Sequence, residues 1–241
     1  MMAERTERID GRSSTAVRPV SIVVGGSASA GGSALISLGR TRALATVHGP
    51  RENAHASGET IASGAFDVRV SIAPFASRAR RGAAVGVLGD EERRLEGALR
   101  AALTPSVMLE RFPKAVVEVH VLFLEIDGGE IVAAVMAASA ALVDAGVDVI
   151  DCVAAGTVCF SRSGELLVDP TEAELAAGAG ACSVAILPNL GAVTSASHAG
   201  DAETAHLLRA LALATDAATT TLAALRPALV HAASQRLGVL A

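Results

Sequence analysis

Apolar and polar positions divide the chain into short alternating runs, followed later by longer helical ones. Residues 116–126 alternate as a strand does. Val117, Val119, Val121 and Phe123 fall on one face, with Glu118, His120, Leu122 and Leu124 on the other. Asp127-Gly128-Gly129 marks a turn. Residues 130–143 are almost wholly apolar and rich in alanine, which predicts a helix buried on most sides and packed close to its neighbours. A strand, a glycine turn and a helix form a common seat for an anion, because the turn N–H groups and the helix N-terminus converge on one spot. Here that spot carries Glu130 and Ile131, and no Arg, Lys or Ser.

Upstream, residues 17–24 predict a strand with Pro19 near its start, as an edge or first strand allows. The run GGSASAGG at 25–32 lacks the GK[ST] ending of a nucleotide loop and leads into another strand, so it reads as a hairpin or an open glycine loop. Residues 33–38 and 42–48 make a second hairpin through Gly39-Arg40. A polar loop is expected over 50–64, then a strand over 65–72 that closes at Pro74. Asp90 is the expected N-cap of a helix over 91–103, stopped by Thr104-Pro105.

Downstream, residues 148–155 fit a short helix or a strand-turn and lead into a strand ending at Phe160. A short strand at 166–169 opens into a polar segment at Asp169-Pro170. Residues 181–187 and 191–197 pair around Pro188-Asn189. Residues 201–237 are helical in pattern, with Pro227 expected to kink or divide them. Residues 1–17 read as an arm and 18–241 as a single domain. Strands first, helices alternating later and two loosely similar halves give an α/β (α+β) fold.

Composition changes this picture little. Aromatic residues are 2% of the chain, with no Trp and no Tyr. The longest apolar run, 131–143, is too short for a membrane span and ends at Asp144, so no membrane association is expected. The first residues are charged and lack an apolar stretch, so no secretory signal is expected. Cys152, Cys159 and Cys182 form no CxxC pair and sit in apolar surroundings, as buried free thiols do.

Charge is more informative. Residues 1–114 hold 16 Arg/Lys against 11 Asp/Glu, whereas residues 115–241 hold 4 against 14. The basic half suits a surface that meets phosphates or an acidic partner; two solvated faces would give the same split. Arg78, Arg80 and Arg81 stand together before a glycine-broken run. They are a candidate RNA-backbone footprint, with a solvated or subunit-contact loop as the alternative. Only Phe75 stands near them, so base-specific reading is not indicated.

In their order and spacing, several segments resemble the RNase PH family. They are RIDGR at 8–12, Arg18-Pro19, Gly32-Ser33-Ala34, LGRTRALATVHGPRE at 38–52 and PFASRARR at 74–81. LERFPKAVVEVHVLFLEIDGG at 109–129, AALVDAGV at 140–147 and LLVDPTEAE at 166–174 complete the set. The resemblance implies a fold of paired βαβα-like halves (ribosomal protein S5 domain 2-like) in a ring that threads RNA. PFASRARR, LERFPKAVVEV and the LLVDPT element are most similar to the non-catalytic, mRNA-transport-regulator type of ring subunit in the eukaryotic exosome. Implied partners are other RNase PH-like exosome subunits in a hetero-oligomeric ring, S1/KH-type cap subunits and RNA. The implied location is nuclear, nucleolus included, and cytoplasmic, and no cofactor is implied.

Active members of the family hold phosphate with an arginine after the Gly-Gly turn. They also use arginines ahead of the long helix and acidic residues after the DP-like strand. Carried over, the phosphate arginine's place falls at Ile131 beside Glu130, and the acids fall near Leu175 and Ala181, with Glu172 and Glu174 close by. Arg93 and Arg94 fall inside the helix instead of ahead of it. The resemblance therefore implies an inactive homologue with no catalytic residue; the alternative is an active phosphorolytic 3′-5′ exoribonuclease. Other chemistry has little support. Asp144, Asp148 and Asp151 suit capping better than Mg²⁺, so no metal site is expected. His48, His55, His120, His198, His206 and His231 lack a nucleophile partner or metal-ligand spacing.

Overall fold

In the computed structural model, residue 8 and residues 10–52, 63–76 and 89–236 are described. Strand β5 (Ala115–Glu125) buries Val117, Val119, Val121 and Phe123 and leaves the alternate positions partly exposed, as its pattern predicts. Strand β3 (Thr41–Glu52) runs antiparallel to it on one side, and β4 (Ala65–Ile72) runs parallel on the other. A parallel pair needs a crossover, which helix α1 (Asp90–Leu103) supplies. Antiparallel pairing of β1 (Val20–Val24) and β2 (Gly32–Leu38) completes a five-stranded sheet in the order β1-β2-β3-β5-β4.

Helix α2 (Glu130–Asp144) leads from the first sheet to the second. The second is antiparallel, in the order β7-β6-β8-β9, from β6 (Ala154–Phe160), β7 (Leu166–Val168), β8 (Gly180–Leu187) and β9 (Ala192–Gly200). A short helix, α3 (Glu172–Ala177), joins β7 to β8, and α4 (Thr204–Arg236) follows β9. Helix α2 touches β2, β3 and β6, while α4 touches β6, β8 and β1, so both helices meet both sheets. This is the mixed α/β architecture expected from the sequence.

Small residues let these layers close. Every position of α2 from Val132 to Leu142 is buried, and alanine keeps that helix thin enough to be covered all round. At Gly156 of β6 a Cβ would lie 2.0 Å from the Ala214 carbonyl oxygen of α4, so only glycine permits this approach. Helix α1 turns Leu95, Leu99 and Leu103 inward at fourfold spacing, and each is fully buried. Each such leucine contributes about 1.5–3 kcal/mol.

Four elements depart from the sequence reading. Helix α1 starts at Asp90 with Gly89 as its N-cap, because Glu92 caps it: Glu92 accepts the Gly89 N–H (2.8 Å) and the Ile72 N–H (2.9 Å). Strand β3 continues through Pro50 to Glu52, where a loop was expected; a register shift between His48 and Arg51 accommodates the proline. Residues 53–62 of that expected loop lie outside the described residues. Helix α3 lies in the segment expected to be merely polar. Its signal, a capping box from Thr171 to Glu174, is legible in the sequence, but six residues carry too little apolar periodicity to reveal a helix.

The fourth is α4, which Pro227 does not divide, division being one of the two outcomes expected there. Ala223, whose carbonyl loses its helical partner, and Pro227 are both exposed, so the freed group lies on the solvent side of the helix. At 148–155 the strand-turn alternative is the one observed: Val149 bridges Val107, and the Ile150 N–H donates to the Ser106 carbonyl at 2.7 Å. Among the described residues no helix is long and apolar enough to cross a membrane.

Candidate functional site

The first sheet's Gly-Gly turn and the segment after β7 meet at one arginine. Arg18 is 6% exposed and Asp169 4%. The Arg18 Nε and Nη2 donate to the two Asp169 oxygens at 2.8 and 2.7 Å, and the Arg18 backbone N–H adds a third bond at 2.8 Å. The remaining donors go to the Asp127 and Gly128 carbonyls, at 2.7 and 3.1 Å. Thr41, fully buried, donates to the Gly128 carbonyl at 2.6 Å and accepts from the Asp127 N–H at 2.9 Å. Gly128 has φ 76°, and a Cβ there would come 2.5 Å from the Pro170 carbonyl oxygen. Turn and strand end are thus clamped backbone to backbone.

Arg8 repeats the arrangement one layer out. Its Nε and Nη2 donate to the two Glu174 oxygens at 2.7 Å each, and Nη1 and Nη2 reach the Val168 and Asp169 carbonyls at 2.8 and 3.0 Å. Burial would raise the Glu174 pKa, but the bonds from Arg8 and from the Thr171 N–H outweigh it and hold the carboxyl below its usual range. Arg12 pairs with Asp10 and donates to the Asp169 carbonyl at 3.2 Å. Beside these groups opens a cleft of about 1220 Å³, with Arg12, Arg18, Arg40, Phe75, Asp127 and Glu172 in its walls.

The anion seat foreseen from the sequence lies at the start of α2, with Gly129 as a left-handed N-cap at φ 71°. Glu130 is the first residue of α2, so its carboxyl belongs to the helix's opening turn. Burial, foremost, pushes the Glu130 carboxyl above its usual range. Its own N–H opposes this, Glu91 and Glu172 add to it, and Arg94 opposes it. Ile131, partly buried, packs against the main core. Leu175 belongs to α3, and Ala181 pairs with Cys159 within the second sheet. Glu172 is exposed on the cleft wall.

Other singled-out residues have structural partners. Asp144 accepts the Ser33 N–H at 2.9 Å and pairs with Arg236 at 2.7 Å. Asp148 pairs with Arg111 at 3.1 Å, and Asp151 accepts the Asn189 backbone and side-chain N–H groups at 2.8 and 2.7 Å. Among the described residues no three His, Cys, Asp or Glu side chains converge as metal ligands. His48 and His120 meet edge to face, and His198 meets Phe160 the same way. Arg93 and Arg94 lie in α1, as expected. Arg78, Arg80, Arg81 and His55 lie outside the described residues. The ion-paired hub of Arg8, Arg18, Asp169 and Glu174 was not foreseen as a site. Its only sequence signal is the RIDGR, Arg18-Pro19 and LLVDPTEAE segments, far apart in the chain.

Two sheets with helices between them, and an ion-paired cleft where the glycine turn meets the second sheet, define an RNase PH-type α/β protein. The sequence pattern of the 3′ exoribonuclease family, domain 1 (RNase PH), matches residues 16–148. The chain is 35% identical over 190 residues to the exosome complex component Rrp41 of Pyrococcus horikoshii, covering 78% of this chain and 74% of the relative. It is 37% identical over 183 residues to that of Pyrobaculum calidifontis, covering 76% and 73%. The chain belongs to the RNase PH family. Its fold is that of rice (Oryza sativa) Rrp46, with a TM-score of 0.82 at 22% identity over 92% of this chain and 99% of that one. A chain of an Archaeoglobus fulgidus exosome with RNA bound to the active site superposes with a TM-score of 0.79 at 23% identity, over 90% and 91%.

Proposed function

We propose that this chain is an RNase PH-type subunit of an exosome core ring, and that it shapes the RNA path without catalysing phosphorolysis. Its relatives named as exosome components support the assembly. One observation carries the loss of catalysis: the N-terminus of α2 is occupied by Glu130 and flanked by Ile131, where phosphate would have to bind. A carboxylate at about 4 Å from a phosphate charge opposes binding by roughly 1–4 kcal/mol, depending on local polarity. An isoleucine offers no donor in compensation. Glu174, the acid nearest the family's catalytic place, has both oxygens committed to Arg8. Phosphorolysis needs the anion held and an acid or metal placed against the leaving group; neither requirement is supported here.

In this reading the partners are other RNase PH-like subunits in a hetero-oligomeric ring, S1/KH-type cap subunits and RNA. Arg78, Arg80 and Arg81 serve as backbone contacts at the channel. The complex works in nucleus, nucleolus and cytoplasm. The nearer likeness to the mRNA-transport-regulator type belongs to this proposal. Affinity purification of the tagged chain from its own cells should recover other RNase PH-like chains; recovery of the chain alone would overturn the assembly. The purified chain should release no nucleoside diphosphate from single-stranded RNA with added phosphate. Phosphate-dependent release abolished by Glu172→Ala would instead establish an active exoribonuclease. Replacing Arg78, Arg80 and Arg81 with Ala should weaken RNA binding by the assembled ring and flatten its salt dependence.

A further inference from the structure

Two carboxylates of α1 meet the edge of β4 in step. Glu92 and Glu96 stand one turn apart on the helix, and their Oε1 atoms accept the Ile72 and Val70 N–H groups, each at 2.9 Å. A helix rises about 6 Å over four residues and a strand about 6.6 Å over two, so the two spacings match. Both glutamates are partly buried.

Glu92 does something that Glu96 does not. Its second oxygen, Oε2, accepts the Gly89 N–H at 2.8 Å. Ile72 ends β4 and Gly89 is the N-cap of α1, so one carboxylate holds N–H groups on both sides of residues 77–88. On the β4 side the chain has further ties. The Ala73 N–H donates to the Phe123 carbonyl at 3.0 Å, and the Ala76 carbonyl accepts the Ile126 N–H at 2.9 Å. On the α1 side, Gly89 has no side chain with which to cap the helix, and Asp90 pairs with Arg93 at 2.7 Å on the surface. The return of the chain into α1 therefore leans on Glu92. Its chemistry suits the task, since a carboxylate offers two acceptor oxygens where glutamine offers one. Aspartate would be one methylene short.

We propose that Glu92 is a positioning residue: by tying Ile72 to Gly89 it fixes where residues 77–88 leave the fold and where they return. The inference rests on the reading of Arg78, Arg80 and Arg81 as RNA-backbone contacts. Holding both ends of a segment reduces the conformational entropy that its side chains give up on binding. Glu92 thereby raises RNA affinity, although a carboxylate by itself repels a phosphate backbone. Charge and positioning thus predict opposite signs for the loss of this side chain.

Three variants separate the two effects in RNA binding by the assembled ring. Glu92→Ala removes one negative charge and both bonds, and should weaken binding about three- to tenfold. Glu92→Asp keeps the charge but shortens the reach, and should weaken binding as well. Glu96→Ala removes the same charge and only the Val70 bond, so its binding should be equal or tighter. In a chain already carrying Arg78→Ala, Arg80→Ala and Arg81→Ala, Glu92→Ala should cause no further loss, whereas general damage to the fold would add to it. Amide hydrogen exchange at Ile72 and Gly89 should quicken in Glu92→Ala. Unchanged or tighter binding by Glu92→Ala, an equal loss in Glu96→Ala, or full additivity with the triple variant would overturn the proposal. If the triple variant itself binds RNA as the wild type does, the RNA reading fails, and exchange at Ile72 and Gly89 still decides whether Glu92 ties the two ends.

Discussion

Arg18 and Asp169 lie 151 residues apart and share three hydrogen bonds of 2.8 Å or less in a buried site. Breaking such a pair leaves an uncompensated charge, which costs about 3–5 kcal/mol. Asp169→Asn should therefore lower the midpoint of urea unfolding by that equivalent, and Arg18→Met should do the same. The double variant should lose clearly less than the sum, because each single change already strands the partner.

Arg8 and Glu174 give a pH signature. The Glu174 carboxyl titrates below its usual range, so its pairing stabilises the fold above the unfolded carboxyl pKa of about 4.3. That contribution is lost as the pH falls through the depressed folded-state value. Arg8→Met should destabilise the chain at pH 7, and its deficit in thermal midpoint should shrink in acid below about pH 4.

Glu130 has the opposite sign. Burial raises its folded-state pKa, so its ionised form opposes folding and its neutral form does not. Glu130→Gln should raise the thermal midpoint at pH 8, and the gain should fade as the pH drops through the carboxylate range. The double variant Glu130→Gln with Ile131→Arg should acquire phosphate-dependent stabilisation that the wild type lacks, read as an upward midpoint shift in about 50 mM phosphate.

Burial, then the Glu174 charge, pushes the Cys159 thiol up to about 11, with Arg8 opposing. Burial also raises Cys182. Thiolate is the reactive species, so neither should react with iodoacetamide at pH 7 in the native chain. Both should be alkylated in denaturant, as peptide mass mapping would show. Labelling of Cys159 in the folded chain would contradict this burial.

Local pattern was enough to reveal most of the elements. The alternation of β5, the glycine turn, the alanine-rich α2 and the hairpins β2–β3 and β8–β9 each occupy consecutive residues, so backbone preference and face-by-face hydrophobicity identify them without long-range information. Glu130 and Ile131 at the head of α2 were equally legible, because a helix N-terminus is a local feature. What failed locally was decided elsewhere. The N-cap of α1 moved because Glu92 also holds an Ile72 N–H on a different element. Pro227 stayed within α4 because its outer face is solvent.

The order of apolar and polar residues alone determined that this is an α/β chain with a carboxylate at the head of the helix after its glycine turn. Only the tertiary structure decided that Arg8 and Arg18 tie the N-terminal segment to Glu174 and Asp169, more than 150 residues on. The reason is physical. A buried guanidinium must find its carboxylate in space, and nothing in the spacing along the chain records which of 25 acidic residues that will be.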